Sequence, residues 1–198
     1  AVAGAGKTTF LLNQLNLENN VALITYTKNN QEQLKENIIK KFGYYPNNIH
    51  VFGLFEFLYN FCYRPLQNKY PITGICFDHP SPYLKGFHHK DGRIYSNQIS
   101  RLLLAEKINY LTRIERFFDY FYIDEVQDIA ADDFDWLMSL KDLKIPVTLV
   151  GDFYQSTFVS SRRGNKGKAI YSSIENYKNQ FDQNGFHFEE SKLIASHR

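Results

Sequence analysis

The chain has 198 residues, of which 43% are hydrophobic and 22% charged. That is enough apolar mass for one large domain, or for one domain carrying a modest insertion. No run approaches the roughly 18 to 20 apolar residues of a membrane helix, no signal-peptide pattern opens the chain, and a net charge of +2 does not announce a nucleic-acid binder while leaving room for a local basic strip.

In chain order, short apolar runs alternate with amphipathic stretches, which is the pattern of an α/β sheet protein. Strands are predicted at Val21–Tyr26, Ile49–Phe52, Phe121–Asp124, Val147–Val150 and Leu193–Ala195. A helix is predicted over Asn30–Phe42, with Asn30 and Gln33 at capping-box spacing and Leu34, Ile38 and Phe42 facing inward. Further helices are predicted over Ser100–Phe118, over Asp132–Leu140 and after Lys168. Pro65, Pro71, Pro80 and Pro82 fall between Arg64 and about Ser100, together with Gly74, Gly86 and Gly92, so this stretch reads as an irregular insertion. The chain divides accordingly into a core of residues 1–63 and 101–198 and an insertion of residues 64–100.

Two cysteines, Cys62 and Cys76, are too few for a disulfide framework and suit a reducing cytoplasm, the expected location. With His79, His88 and His89 nearby a zinc site comes to mind, but the spacings match no familiar ligand pattern and a surface loop is the better expectation. The one methionine is Met138 and the chain opens Ala1-Val2, so the sequence is expected to be a fragment of a longer parent.

Three segments carry chemistry. The opening Ala1-Val2-Ala3-Gly4-Ala5-Gly6-Lys7-Thr8 fits the phosphate-binding loop G-x-x-x-x-G-K-[ST] with Ala for the first Gly. Small residues let backbone N–H groups curl around phosphate oxygens, and the following helix adds its positive end. Lys7 would reach the β- and γ-phosphates and the Thr8 hydroxyl would ligate Mg²⁺. The alternative is a glycine-rich turn before a helix.

Phe121-Tyr122-Ile123-Asp124-Glu125-Val126-Gln127-Asp128 is an apolar strand ending in adjacent carboxylates. Asp124 can hold Mg²⁺ through its water shell and Glu125 can accept the proton of an attacking water. The flanking Asp119, Asp132, Asp133 and Asp135 read as a solvated acidic turn. Leu149-Val150-Gly151-Asp152-Phe153-Tyr154-Gln155-Ser156 is another apolar strand ending in polar groups. The neutral amide of Gln155 suits positioning of water or contact with a γ-phosphate, and a capped turn is the alternative. Arg162 to Lys168 forms a local basic patch that fits phosphate contact and a solvated loop equally well.

The ordered set AGAGKTT, YIDEVQD, GDFYQS and a terminal SHR resembles the first RecA-like domain of superfamily 1 helicases of the UvrD/Rep type, from Ala1 to Arg198. The resemblance implies a RecA-like P-loop fold with a mainly parallel sheet flanked by helices, and an ATP-driven helicase or translocase on single-stranded DNA. Its cofactors would be ATP and Mg²⁺, with Ala3, Gly4, Ala5, Gly6, Lys7, Thr8 and Thr9 around the phosphates. By the same resemblance, Gln155 senses the γ-phosphate and Arg198 touches it. Tyr26 and Thr27 meet single-stranded DNA, joined by Phe158 and Arg163. The insertion matches a reduced form of the family's DNA-binding subdomain, and a second RecA-like domain of the same parent chain closes the site.

The chain departs from the family on the nucleic-acid side. No Trp follows Phe158, about two extra residues precede Arg163-Gly164, Lys28 stands where an Asn is usual, and Val51-Phe52-Gly53 replaces T-x-H. Those departures motivate an alternative from another class, an ATP-dependent switch that gates a partner such as a nuclease without unwinding.

Overall fold

The computed structural model describes residues 6–67, 72–78, 87, 91–156 and 166–189. Four parallel strands form the main sheet: β1 (Val21–Thr25), β2 (Ile49–Gly53), β5 (Tyr120–Ile123) and β6 (Val147–Leu149), in the spatial order β2-β1-β5-β6. β1 is buried along its whole length, which explains why Val21-Ala22-Leu23-Ile24 reads as an unbroken apolar run rather than an alternating one. The sheet is flanked by helices on both faces, so the chain is an α/β protein with a mostly parallel sheet.

One face is covered by α1 (Lys7–Gln14) and α2 (Lys28–Phe42). Leu11 and Leu15, Leu34 and Ile38 pack there against Val21, Leu23, Ile49, Val51, Tyr122 and Val150. α2 begins where the Thr27 side chain accepts a hydrogen bond from the Asn30 amide, and ends at Gly43 with φ 81°. The cap is therefore Thr27, not the predicted Asn30. The Lys41 ammonium closes the end of α1 by donating to the carbonyls of Leu12 and Leu15.

The other face is aromatic. After the single turn α3 (Leu54–Glu56), residues Phe57–Tyr63 form a π-helix, with the Arg64 amide reaching back to the Tyr59 carbonyl at 2.8 Å. This stacks Phe57 on Phe61, with centroids 5.0 Å apart, and lays Phe57 against Phe121 and Trp136. The predicted helix Ser100–Phe118 is two helices, α4 (Ile99–Ala105) and α5 (Tyr110–Phe117), separated at Lys107, whose φ is 51°. On either side of the break Leu102 and Leu103, then Tyr110 and Ile114, are buried in the same core. α6 (Asp132–Ser139) and α7 (Ile174–Gln183) complete this face, the latter capped by the Ser173 hydroxyl.

Two further expectations change. Asp132 and Asp133 are buried, not solvated: Lys166 pairs with Asp132 and Asp135, and Ser100 Oγ donates to Asp133 at 2.5 Å. An apolar helix face drawn onto the sheet carries its first-turn acids down with it, and they are tolerated there because they are paired. The proline-rich stretch also reaches inside the molecule. Its strands β3 (Gly74–Cys76) and β4 (Arg93–Tyr95) pair in parallel, and Ile72, Cys76, Ile94 and Tyr95 are buried. Cys62 and Cys76 are free thiols in the core, and burial pushes the Cys62 thiol well up. The predicted strand Leu193–Ala195, and His79, His88 and His89, lie outside the described residues. Among the described residues no helix is long and apolar enough to cross a membrane.

Candidate functional site

The strand order marks a topological switch point. From β1 the chain crosses to β2 on one side, and from β5 to β6 on the other, so connections diverge between β1 and β5. In open α/β sheets ligands bind outside the carboxyl ends of the strands at such a switch point. Three segments meet there: the start of α1, the end of β1, and the turn after β5.

Gly6 opens α1 in the left-handed region, φ 75°, a conformation glycine adopts without a Cβ penalty. The next residue, Lys7, is only 9% exposed, and its ammonium lies 3.3 Å from Glu125 Oε2. Thr8, in the same helical turn, lies near enough to the Asp124 carboxylate to help hold its pKa down, while Thr9 is exposed. The first turn of α1 thus delivers one cation and one hydroxyl to the two carboxylates that follow β5.

Asp124 still belongs to the sheet, its amide donating to the Ile24 carbonyl at 2.8 Å, and Val126 donates to the Val150 carbonyl at 3.0 Å. Between these two ladder bonds Glu125 turns left-handed, φ 55° and ψ 45°. A non-glycine residue there costs on the order of 1 kcal/mol or more, which surrounding structure must over-determine. The over-determination is visible: the Glu125 amide donates to Asp124 Oδ1 at 3.0 Å, and its carboxylate is held by Lys7 and by Gln127 Nε2 at 2.8 Å. Asp124 is buried, and burial, then the neighbouring Glu125 charge, raise its carboxyl to about 6 against the lowering influence of the Glu125 amide, Lys7 and Thr8.

The same register sets Thr25 level with Asp124, one strand over, since Ile24 pairs with Ile123. Its hydroxyl is buried and has no hydrogen-bond partner among the described residues. A carboxyl held out of its normal range, a hydroxyl beside it and an orphaned buried hydroxyl next door form an oxygen donor set suited to a hard divalent cation such as Mg²⁺. Such a charge would draw the Asp124 proton off. The residues present therefore fit the ion.

No protein-family model matches the chain, and no curated protein is found to match it. The geometry and the motifs carry the argument alone.

The remaining expected residues are placed unevenly. Gln155 is exposed at the end of the 3₁₀ turn Phe153–Gln155, which hangs from Asp152 through the Tyr154 amide at 3.1 Å. Tyr26, at the end of β1, is half-buried, edge-on to Phe55 at 6.0 Å. The Thr27 side chain is exposed and serves as the α2 cap. Ala3, Gly4, Ala5, Phe158, Arg163 and Arg198 lie outside the described residues. Sequence reasoning overlooked Gln127 and Thr25. Gln127 sits inside the quoted acidic motif and Thr25 inside the predicted strand Val21–Tyr26, but nothing in a one-dimensional string shows that one bridges two loops and the other loses its partner.

Proposed function

We propose that this chain is the ATP-binding and hydrolysing motor domain, RecA-like in fold, of a UvrD-like DNA helicase or translocase acting on single-stranded DNA. The observation that carries the reading is the convergence of Lys7, Thr8, Asp124 and Glu125 at the sheet's switch point. A buried ammonium facing a carboxylate at the entrance of a helix is what a triphosphate needs: a cation that can change partners and an anion that is then left as a base.

In this reading Lys7 leaves Glu125 for the β- and γ-phosphate oxygens, and α1 adds the positive end of its backbone. Thr8 and Asp124 would hold Mg²⁺, which would supply charge neutralisation on the phosphates. Glu125, relieved of Lys7, accepts a proton from the water that attacks the γ-phosphorus, and the bond from that phosphorus to the bridging oxygen breaks to release ADP. Gln155 orients the water or senses the γ-phosphate from its exposed turn. Arg198 and a second RecA-like domain of the parent chain complete the charge stabilisation, and Tyr26, Thr27, Phe158 and Arg163 face the DNA.

The test is ATP turnover by the full-length protein. Lys7→Ala and Glu125→Gln are each expected to lower it by roughly 10² to 10⁴-fold, the range seen when a charge-stabilising group or a general base is removed. Unchanged turnover in both variants would sink the reading. Stimulation by single-stranded DNA separates the motor from the switch: indifference to DNA with stimulation by a nuclease or other protein partner would favour the switch.

A further inference from the structure

Gln127 occupies a position that the proposed chemistry does not use. It is 2% exposed, and each end of its side-chain amide has a different partner. Nε2 donates to Glu125 Oε2 at 2.8 Å, and Oε1 accepts from the Asp152 amide at 2.8 Å. Its own carbonyl accepts from Ser156 Oγ, also at 2.8 Å. The residue is pinned at both ends of the segment Gly151–Ser156 and reaches from it to Glu125.

The chemistry allows few substitutes. One partner is a carboxylate that needs a donor and the other a backbone N–H that needs an acceptor, and an amide offers both at once, on two atoms of one planar group and without a charge. The approach is also close. A Cβ on Gly151 would stand 2.6 Å from Gln127 Oε1 and 2.7 Å from Val126 Cγ1, so glycine is required for the loop to come this near. From Asp152 the contact continues to the 3₁₀ turn, because the Gln155 amide donates to the Asp152 carbonyl at 3.0 Å. Tyr154, 79% exposed, and Gln155 form the outward end of this chain of contacts, where a ligand can reach them.

We propose that Gln127 is the positioning residue that fastens the Glu125 carboxylate to the loop Gly151–Ser156, so that one amide links movement of that loop to water activation. The inference rests on the assignment of Glu125 as proton acceptor. A loop that shifts outward pulls the Asp152 amide from Oε1, frees the Gln127 side chain to rotate, and leaves Glu125 without its neutral donor. A loop that seats holds Glu125 in place once Lys7 has turned to phosphate.

The experiment compares Gln127→Leu, Gln127→Glu and Ser156→Ala in the full-length protein, each alone and in a Glu125→Gln background. Single-turnover hydrolysis, nucleotide affinity and amide hydrogen exchange over residues 151–156 are measured. Both Gln127 variants are expected to hydrolyse about 10 to 100-fold more slowly with nucleotide affinity within about threefold, and to lose no more than about twofold in the Glu125→Gln background, as for residues acting as a unit. Exchange over 151–156 should quicken. Ser156→Ala, which leaves the amide intact, is expected to show the same non-additive pattern at a loss of about two- to fivefold, and it carries the test should the Gln127 variants not fold. Equal losses in both backgrounds, or wild-type rates in folded variants, overturn this proposal alone. Absence of turnover in the wild type overturns the ATPase reading and this proposal together.

Discussion

The two faces of the sheet are built from different materials. The face under α1 and α2 is aliphatic, with Leu11, Leu23, Leu34, Ile38 and Ile49 at its centre. The opposite face is packed with rings, from Phe57, Phe121 and Trp136 to the group of Phe134, Tyr171, Tyr177 and Phe181. The candidate chemistry stands on the rim of the aliphatic face. Strand alternation puts Thr25 on the same side as Leu23, and Thr8 of α1 meets Asp124 there. From the first turn of α1, Lys7 reaches Glu125 at 3.3 Å. The ring-filled face supplies buried area and holds the sheet from behind. One face borders the candidate chemistry and the other supplies mass.

Mutations should separate these roles. The largest effect is expected on the ring-filled face. Trp136 is fully buried, and Trp136→Ala should cost about 3 to 5 kcal/mol of folding stability in urea titration while leaving nucleotide affinity of the folded fraction unchanged. A loss of affinity equal to that of Lys7→Ala would break the division between the faces.

The next effect has the opposite sign. Asp124 has its carboxyl raised from 3.8 to about 6 in the fold. The folded state therefore binds the extra proton, and stability falls as pH rises through that window. Above it, the ionised group costs roughly 3 kcal/mol, from about 1.4 kcal/mol per pKa unit. Asp124→Asn should accordingly raise the melting temperature at pH 8, lose that advantage below about pH 4, and abolish hydrolysis. A stability gain that does not change with pH would show that burial of the charge is not the cause.

The smallest effect is at Thr25. Replacing an orphaned buried hydroxyl by a methyl of the same shape removes a desolvation cost, so Thr25→Val should stabilise the chain by about 1 kcal/mol in thermal melts without added nucleotide. If the hydroxyl meets a bound cation's water shell, the same variant should need more Mg²⁺ for half-maximal turnover.

Much of the sheet was legible. β1, β2, β5 and β6 each fall within a residue of the predicted runs, and the central β1, buried along its whole length, is apolar up to Thr25 for that reason. The acidic pair after β5 and the Gly-Lys-Thr start of α1 were legible as local features, a strand end and a helix entrance, while their meeting was not. What failed was set by packing. The helix over Ser100–Phe118 breaks at Lys107, which turns left-handed while both halves bury their apolar residues in one core, and local propensity contains no record of that. Phe57–Tyr63 winds as a π-helix where ring stacking outweighs the regular hydrogen-bond spacing. Asp132 and Asp133, polar by type, are buried because α6 is carried inward as a unit.

The sequence alone determined the alternation of strands and helices, the apolar character of the central strands, and the identity of the cation, hydroxyl and carboxylates of the candidate site. These follow from residue type and short-range spacing, which act within a few residues. Only the tertiary structure decided that Lys7 and Glu125, far apart in the chain, lie 3.3 Å apart, that Asp124 holds its proton up to about 6, and that Gln127 joins Glu125 to Asp152. Burial and contact across strands are properties of the assembled sheet, and no single segment carries them.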